Sequence, residues 1–113
     1  MKALFVEYPK CSTCQKAKKW LIEHNVEFED RHIVEDTPNE KELEKWTKQK
    51  FFNTSGLKYK ELNLKEKLPN MTDKEKIKLL ASDGMLIKRP LLILKDAILI
   101  GFKEKEWQEY FNK

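Results

Sequence analysis

The feature that most restricts this chain is a pair of cysteines, Cys11 and Cys14, set between a short apolar run and a helical pattern. Leu4-Phe5-Val6 reads as a buried strand, and Tyr8-Pro9 turns the chain after it. From Thr13 to His24, Ala17, Trp20, Leu21 and His24 recur at three- and four-residue spacing, while Lys16, Lys18, Lys19 and Glu23 lie mostly elsewhere. That spacing predicts an amphipathic helix. Val26 to Val34 alternates apolar and charged residues after an Asn25 turn, which predicts a second strand. Strand, helix and strand in this order put Cys11 at the N-terminal mouth of the helix.

The middle of the chain reads as helical. Thr37-Pro38-Asn39-Glu40 starts a helix that runs to about Lys50 with Leu43 and Trp46 on its apolar face, and 51–56 breaks it. Leu57, Tyr59, Leu62, Leu64 and Leu68 form one or two short helical turns before Pro69-Asn70. Thr72 is an N-cap with Glu75 three residues on, and Ile77, Leu79 and Leu80 face a core until Asp83-Gly84 closes that helix. Pro90-Leu91-Leu92-Ile93-Leu94 and Ala97-Ile98-Leu99-Ile100 flank Lys95-Asp96, the pattern of a tight antiparallel hairpin. A last helix, Glu104 to Phe111, presents Trp107, Tyr110 and Phe111 to the core. With 113 residues there is room for one domain, 1–113. The predicted class is α/β, a four-stranded mixed sheet with a helical insertion at about 38–83.

Charge narrows the function. The 23 Lys+Arg and 19 Asp+Glu are interspersed, as in Lys41-Glu42-Leu43-Glu44-Lys45, which is the pattern of solvated helix faces and argues against direct nucleic-acid binding. Only Arg31 and Arg89 are arginines, so each is more informative than any lysine where planar oxyanion recognition is at issue. No apolar run approaches the ~20 residues of a membrane span, and the expectation is a cytoplasmic monomer without membrane contact. In a reducing compartment, two closely spaced cysteines point to catalysis, redox sensing or metal binding instead of a structural staple.

A thiol at a helix mouth meets exposed backbone N–H groups and the positive end of the helix dipole, so Cys11 can ionise near neutral pH instead of near its ordinary value of about 8.5. Lys10 and Lys16 add positive potential. Cys14, one turn on and more buried, can attack a mixed disulfide formed on Cys11. A zinc site would need both thiolates with His24 and His32, whose seven-residue separation departs from the usual spacing, so no metal and no cofactor are expected. A pair of small buried hydrophobes is the remaining alternative. Trp20, Trp46 and Trp107 read as core, and Phe51-Phe52 is ambiguous.

Tyr8-Pro9-Lys10-Cys11-Ser12-Thr13-Cys14-Gln15-Lys16-Ala17, with Ile87-Lys88-Arg89-Pro90-Leu91 and Gly101-Phe102-Lys103-Glu104, resembles the arsenate reductase-related (ArsC) family that includes the Spx/MgsR redox regulators. The resemblance implies a thioredoxin-like sheet, Cys11 as nucleophile, Cys14 as resolving thiol as in the Spx/MgsR branch, a cis Pro90, and Arg89 beside Cys11. The catalytic candidates are thus Cys11, Cys14 and Arg89, and the binding candidates Ser12, Thr13 and Pro90. The reductase pattern uses two further arginines. Neither Lys48-Gln49-Lys50 nor Asn53-Thr54-Ser55 supplies one, and Lys103 stands where the other belongs, which argues against efficient arsenate reduction. The resemblance also implies thioredoxin or glutathione/glutaredoxin as reductant, or, for a regulator, the RNA polymerase α-subunit as partner.

Overall fold

Alternate residues of the first strand set the layout of the sheet. Ala3, Phe5 and Glu7 share one face of Ala3–Glu7, and Leu4 and Val6 share the other. The computed structural model describes residues 2–46, 52–53 and 56–112. In chain order its elements are β1 (Ala3–Glu7), α1 (Ser12–Glu23), β2 (Phe28–His32), α2 (Glu40–Trp46), α3 (Leu57–Glu61), α4 (Leu64–Lys67), α5 (Asp73–Ser82), β3 (Leu91–Ile93), β4 (Ile98–Ile100) and α6 (Glu104–Phe111). They divide into two compact units, Met1–His32 with Arg89–Lys113, and Ile33–Lys88.

The first unit holds the sheet, in the order β2-β1-β3-β4. β1 and β2 are parallel, with Phe5 opposite Asp30 and Glu7 opposite His32, as the α1 crossover requires. β3 runs antiparallel to β1, with Phe5 opposite Leu92, and β4 antiparallel to β3. The predicted hairpin is present, closed by a bond from the Leu94 N–H to the Ala97 carbonyl at 2.9 Å. Ala3, Phe5, Ala17, Trp20, Leu21, Leu92 and Trp107 form the buried core, so α1 and α6 pack on the face that carries Phe5. Trp20 meets Trp107 edge to face at 5.7 Å, and the Trp107 indole N–H donates to the Gly101 carbonyl at 3.2 Å. A βαβ unit followed by ββα on one mixed sheet is the thioredoxin-like α/β arrangement. The second strand, Phe28–His32, is shorter than the Val26–Val34 pattern: Val26 is only partly buried and Val34 is exposed, while Ile33 beyond the strand is fully buried.

The second unit is built from short helices. Thr72 and Glu75 form the predicted reciprocal cap of α5, with bonds of 2.9 and 3.2 Å, and Asn39 and Glu42 cap α2 in the same way. Helix α2 packs against α5 and α3 against α4. Leu43, Leu64 and Leu80 are buried, but Trp46 is only half-buried, and Leu57 and Leu62 are exposed at 77% and 37%. Helices of four and five residues, separated by the left-handed Asn63 (φ 54°), cannot carry one continuous apolar face. Gly84 does not close α5 by a left-handed turn. A Cβ there would lie 2.1 Å from the Ile33 carbonyl oxygen, so glycine is required by the close approach of two backbones. Phe52 bridges to Ile87, and the Asn53 N–H donates to the Leu86 carbonyl at 2.7 Å. The expected run of α2 to Lys50, and the expectations for Phe51, Thr54 and Ser55, lie outside the described residues. Among the described residues no helix is long and apolar enough to cross a membrane.

Candidate active site

β1 ends at Glu7, and the chain must reverse before α1 can lie back across the sheet. The reversal is a turn in which the Cys11 N–H donates to the Tyr8 carbonyl at 2.9 Å, and the Gln15 side-chain amide ties the Pro9 carbonyl at 2.9 Å. Cys11 is therefore the residue that caps α1, extended at φ −83° and ψ 123°, while its carbonyl accepts the Gln15 N–H at 3.0 Å. Its thiol makes no capping bond and stays half-exposed. Cys14, one turn into the helix, is wholly buried.

The two thiols are shifted in opposite directions. Burial alone would raise the Cys11 thiol. The backbone N–H and thiol of Cys14, the Arg89 guanidinium and the Thr13 N–H all donate toward its sulfur and outweigh burial, leaving it below the ordinary thiol value. Burial pushes the Cys14 thiol up to about 12, and its bond to Cys11 with the negative charges of Cys11 and Glu7 adds to this, against a single opposing bond from the Tyr8 backbone. The outer thiol is thus the more readily ionised of the two, with the inner thiol donating to it.

Arg89 precedes β3 and is fixed by its surroundings. Its guanidinium lies over the Tyr8 ring, 5.1 Å from the centroid, and Tyr8 in turn meets His32 edge to face at 5.9 Å. Its Nε and Nη1 are buried and have no hydrogen-bond acceptor among the described residues. A cation held so, with spare donors beside a thiolate, favours negative charge on Cys11. The Arg89–Pro90 peptide is cis and Pro90 is buried.

Of the other residues singled out in the sequence, Ser12 and Thr13 form the exposed first turn of α1, where the Thr13 backbone reaches the Cys11 sulfur. Lys10 and Lys16 are exposed and are not among the groups that move the Cys11 thiol. His24 ends α1 with its Nδ1 at 2.8 Å from the Trp20 carbonyl and its ring stacked on Trp20, while His32 faces Tyr8. One group escaped the sequence reading altogether. Glu7 is 3% exposed, and its Oε2 lacks a partner among the described residues. Burial, followed by the charge of Asp30 and a bond with it, raises the Glu7 carboxyl from 4.5 to about 7 against the pull of Lys18. The signal was present, since an acid two residues after Phe5 on an apolar strand must share its inward face.

The sequence pattern of the ArsC family matches residues 6–110. The chain belongs to the ArsC family. This ArsC-family chain is 52% identical to YusI of Bacillus subtilis (strain 168), a protein described as uncharacterized, over 96% of the chain and 98% of YusI. It is 32% identical to the regulatory protein MgsR of the same organism, over 90% of the chain and 84% of MgsR. Among solved structures, an ArsC family related protein from Bacteroides fragilis superposes with a TM-score of 0.91 at 54% identity, covering 96% of this chain and 97% of that one. Arsenate reductases and Spx/MgsR regulators are thus its relatives, and the thioredoxin-like fold is common to the family.

Proposed function

We propose that this protein is a thiol–disulfide oxidoreductase in which Cys11 is the nucleophile, Cys14 the resolving thiol and Arg89 the group that stabilises the thiolate. The observation that carries this reading is the opposed displacement of two touching thiols, with Cys11 lowered at a helix mouth and Cys14 raised in the interior. The Cys11 thiolate attacks a substrate disulfide, forming a mixed disulfide and releasing one thiolate. Cys14 then loses its proton and attacks the Cys11 sulfur, which closes the Cys11–Cys14 disulfide and releases the second thiol. The substrate gains two electrons that the dithiol loses, and an external dithiol such as thioredoxin, or glutathione with glutaredoxin, returns them. Arsenate is a poor substrate in this account, because Arg89 stands without the two further arginines of the reductase pattern.

Mass spectrometry of the oxidised protein tests the assignment. An intramolecular Cys11–Cys14 disulfide that thioredoxin reduces is the expected result, whereas oxidation only to intermolecular dimers would remove Cys14 from its role. A second reading, in which the same dithiol of this chain switches a surface that binds the RNA polymerase α-subunit, is favoured by the 32% identity to a protein named as regulatory, MgsR. Capture of the α-subunit by one redox state alone would support it, and no association in either state would exclude it.

A further inference from the structure

Arg89 favours a thiolate on Cys11 only while its guanidinium stays beside the sulfur, and an arginine side chain has rotamer freedom enough to carry the charge away into solvent. We propose that Tyr8 is a positioning residue whose ring holds the Arg89 guanidinium beside Cys11. The inference rests on the thiolate-stabilising role given to Arg89 above.

The pairing of β1 with β3 brings the two residues together. Phe5 lies opposite Leu92 and Val6 opposite Leu91 in an antiparallel register. Carried two residues past the paired strands, that register sets Tyr8 opposite Arg89, where directly opposed side chains share a face. The side chains meet there, with the guanidinium carbon over the Tyr8 ring at 5.1 Å from its centroid. The ring stands on a main chain that is itself held. Tyr8 precedes Pro9, which restricts its backbone to extended conformations. Its carbonyl accepts the Cys11 N–H at 2.9 Å, and the Gln15 side-chain amide donates to the next carbonyl, that of Pro9, at 2.9 Å. From β2, His32 packs on the ring edge to face at 5.9 Å. One residue thus holds the Cys11 main chain with its carbonyl and the cation with its ring.

The ring supplies a face for the cation to rest on. Arg89 Nε and Nη1 are buried without an acceptor among the described residues, so hydrogen bonds at those two atoms do not fix the guanidinium. A guanidinium is planar, delocalised and weakly hydrated, and an aromatic face therefore competes with water for it. Among the described residues that act on the Cys11 sulfur, Cys14 and Thr13 contribute a thiol and backbone N–H groups, and Arg89 brings the full positive charge. Lys10 and Lys16 are exposed and do not replace it. Removing the ring would let the guanidinium turn outward and leave the thiolate with its neutral donors. The contacts with Arg89 and His32 are made by the ring and the contact with Cys11 by the carbonyl, so Tyr8→Phe would keep all three.

The test is the pH dependence of Cys11 alkylation by iodoacetamide in the reduced protein, with the alkylated residue identified by mass spectrometry. The rate follows the thiolate fraction, so its midpoint reads how strongly the thiolate is favoured. Tyr8→Leu should raise the midpoint by about half to one pH unit, which slows alkylation about three- to tenfold at pH values below both midpoints, and Tyr8→Phe should restore it. Arg89→Ala should raise the midpoint as well, and adding Tyr8→Leu to it should change nothing further. Replacing Tyr8 by phenylalanine carrying three or five ring fluorines keeps the shape while depleting the negative face, and should raise the midpoint stepwise. A ring that merely filled space would leave it unmoved, and this series decides the matter if Tyr8→Leu does not fold. An unmoved midpoint in Tyr8→Leu or in the fluorinated series, or a Tyr8→Leu effect that persists in Arg89→Ala, overturns the inference alone. An unmoved midpoint in Arg89→Ala overturns the thiolate-stabilising role of Arg89 itself.

Discussion

Replacing Glu7 with Gln should change how the stability of the fold depends on pH, independently of any redox step. The folded carboxyl titrates at about 7 and the unfolded one at 4.5, so between these values the folded state binds the extra proton. Stability therefore falls as pH rises through this window, with a limiting slope of about 1.36 kcal/mol per pH unit. The stabilising contribution is complete below 4.5 and gone above about 7. Over the window this amounts to at most about 3 kcal/mol, a ceiling because solvent reaches the neighbouring Lys18 and screens the site. Gln cannot ionise and keeps the shape, so the variant should be less pH-dependent and more stable than the parent above neutrality. Urea unfolding followed by the fluorescence of Trp20 and Trp107, in a Cys11→Ser/Cys14→Ser background that removes thiol titration, gives both curves. The difference between them isolates Glu7. A difference that is flat, or that grows toward acid with Gln the more stable, would refute the elevated carboxyl.

Arg89→Lys keeps the charge but loses the planar fork, and a charged hydrogen bond worth about 1.5–3 kcal/mol to the thiolate is weakened. Alkylation of Cys11 near neutral pH should slow severalfold, and an unaltered rate would show that Arg89 does not support the thiolate. Gly84→Ala forces a methyl group onto the Ile33 carbonyl and should lower the unfolding midpoint clearly, by several degrees in a thermal scan. Trp107→Ala, at a residue 1% exposed in the core, should cost about 3–5 kcal/mol in denaturant unfolding. Arsenate added with thioredoxin or with glutathione and glutaredoxin should give no turnover above background, and steady reduction would restore arsenate as a substrate.

What could be read from the sequence was local. The Cys11–Cys14 spacing, the 94–97 turn and the Thr72–Glu75 cap each depend on contacts within a few residues, and the structure reproduces them. The apolar periodicity of Ala17, Trp20 and Leu21 likewise placed α1 and its buried face. Less was legible where an outcome depended on a partner far along the chain. Leu57 and Leu62 look like core residues in a string of leucines, yet short helices broken at Asn63 leave them outside. Gly84 looks like a helix stop, and its reason is the Ile33 backbone fifty residues earlier. Glu7 looks like the polar end of a strand, and only the parallel register with Phe28–His32 and the crossing of α1 reveal that it is buried with Asp30 as its hydrogen-bond partner. In the same way Arg89 is distant in sequence from Cys11, and β1–β3 pairing closes the gap.

The division of roles between the two thiols is tested most directly by titrating the ultraviolet absorbance of the thiolate in Cys14→Ser. The account predicts a single titration at Cys11, below the ordinary cysteine value of about 8.5, because Arg89 and the Thr13 and residue-14 backbone N–H groups remain in place. A titration at or above that value would contradict it, leaving Cys11 an ordinary thiol at the start of a helix.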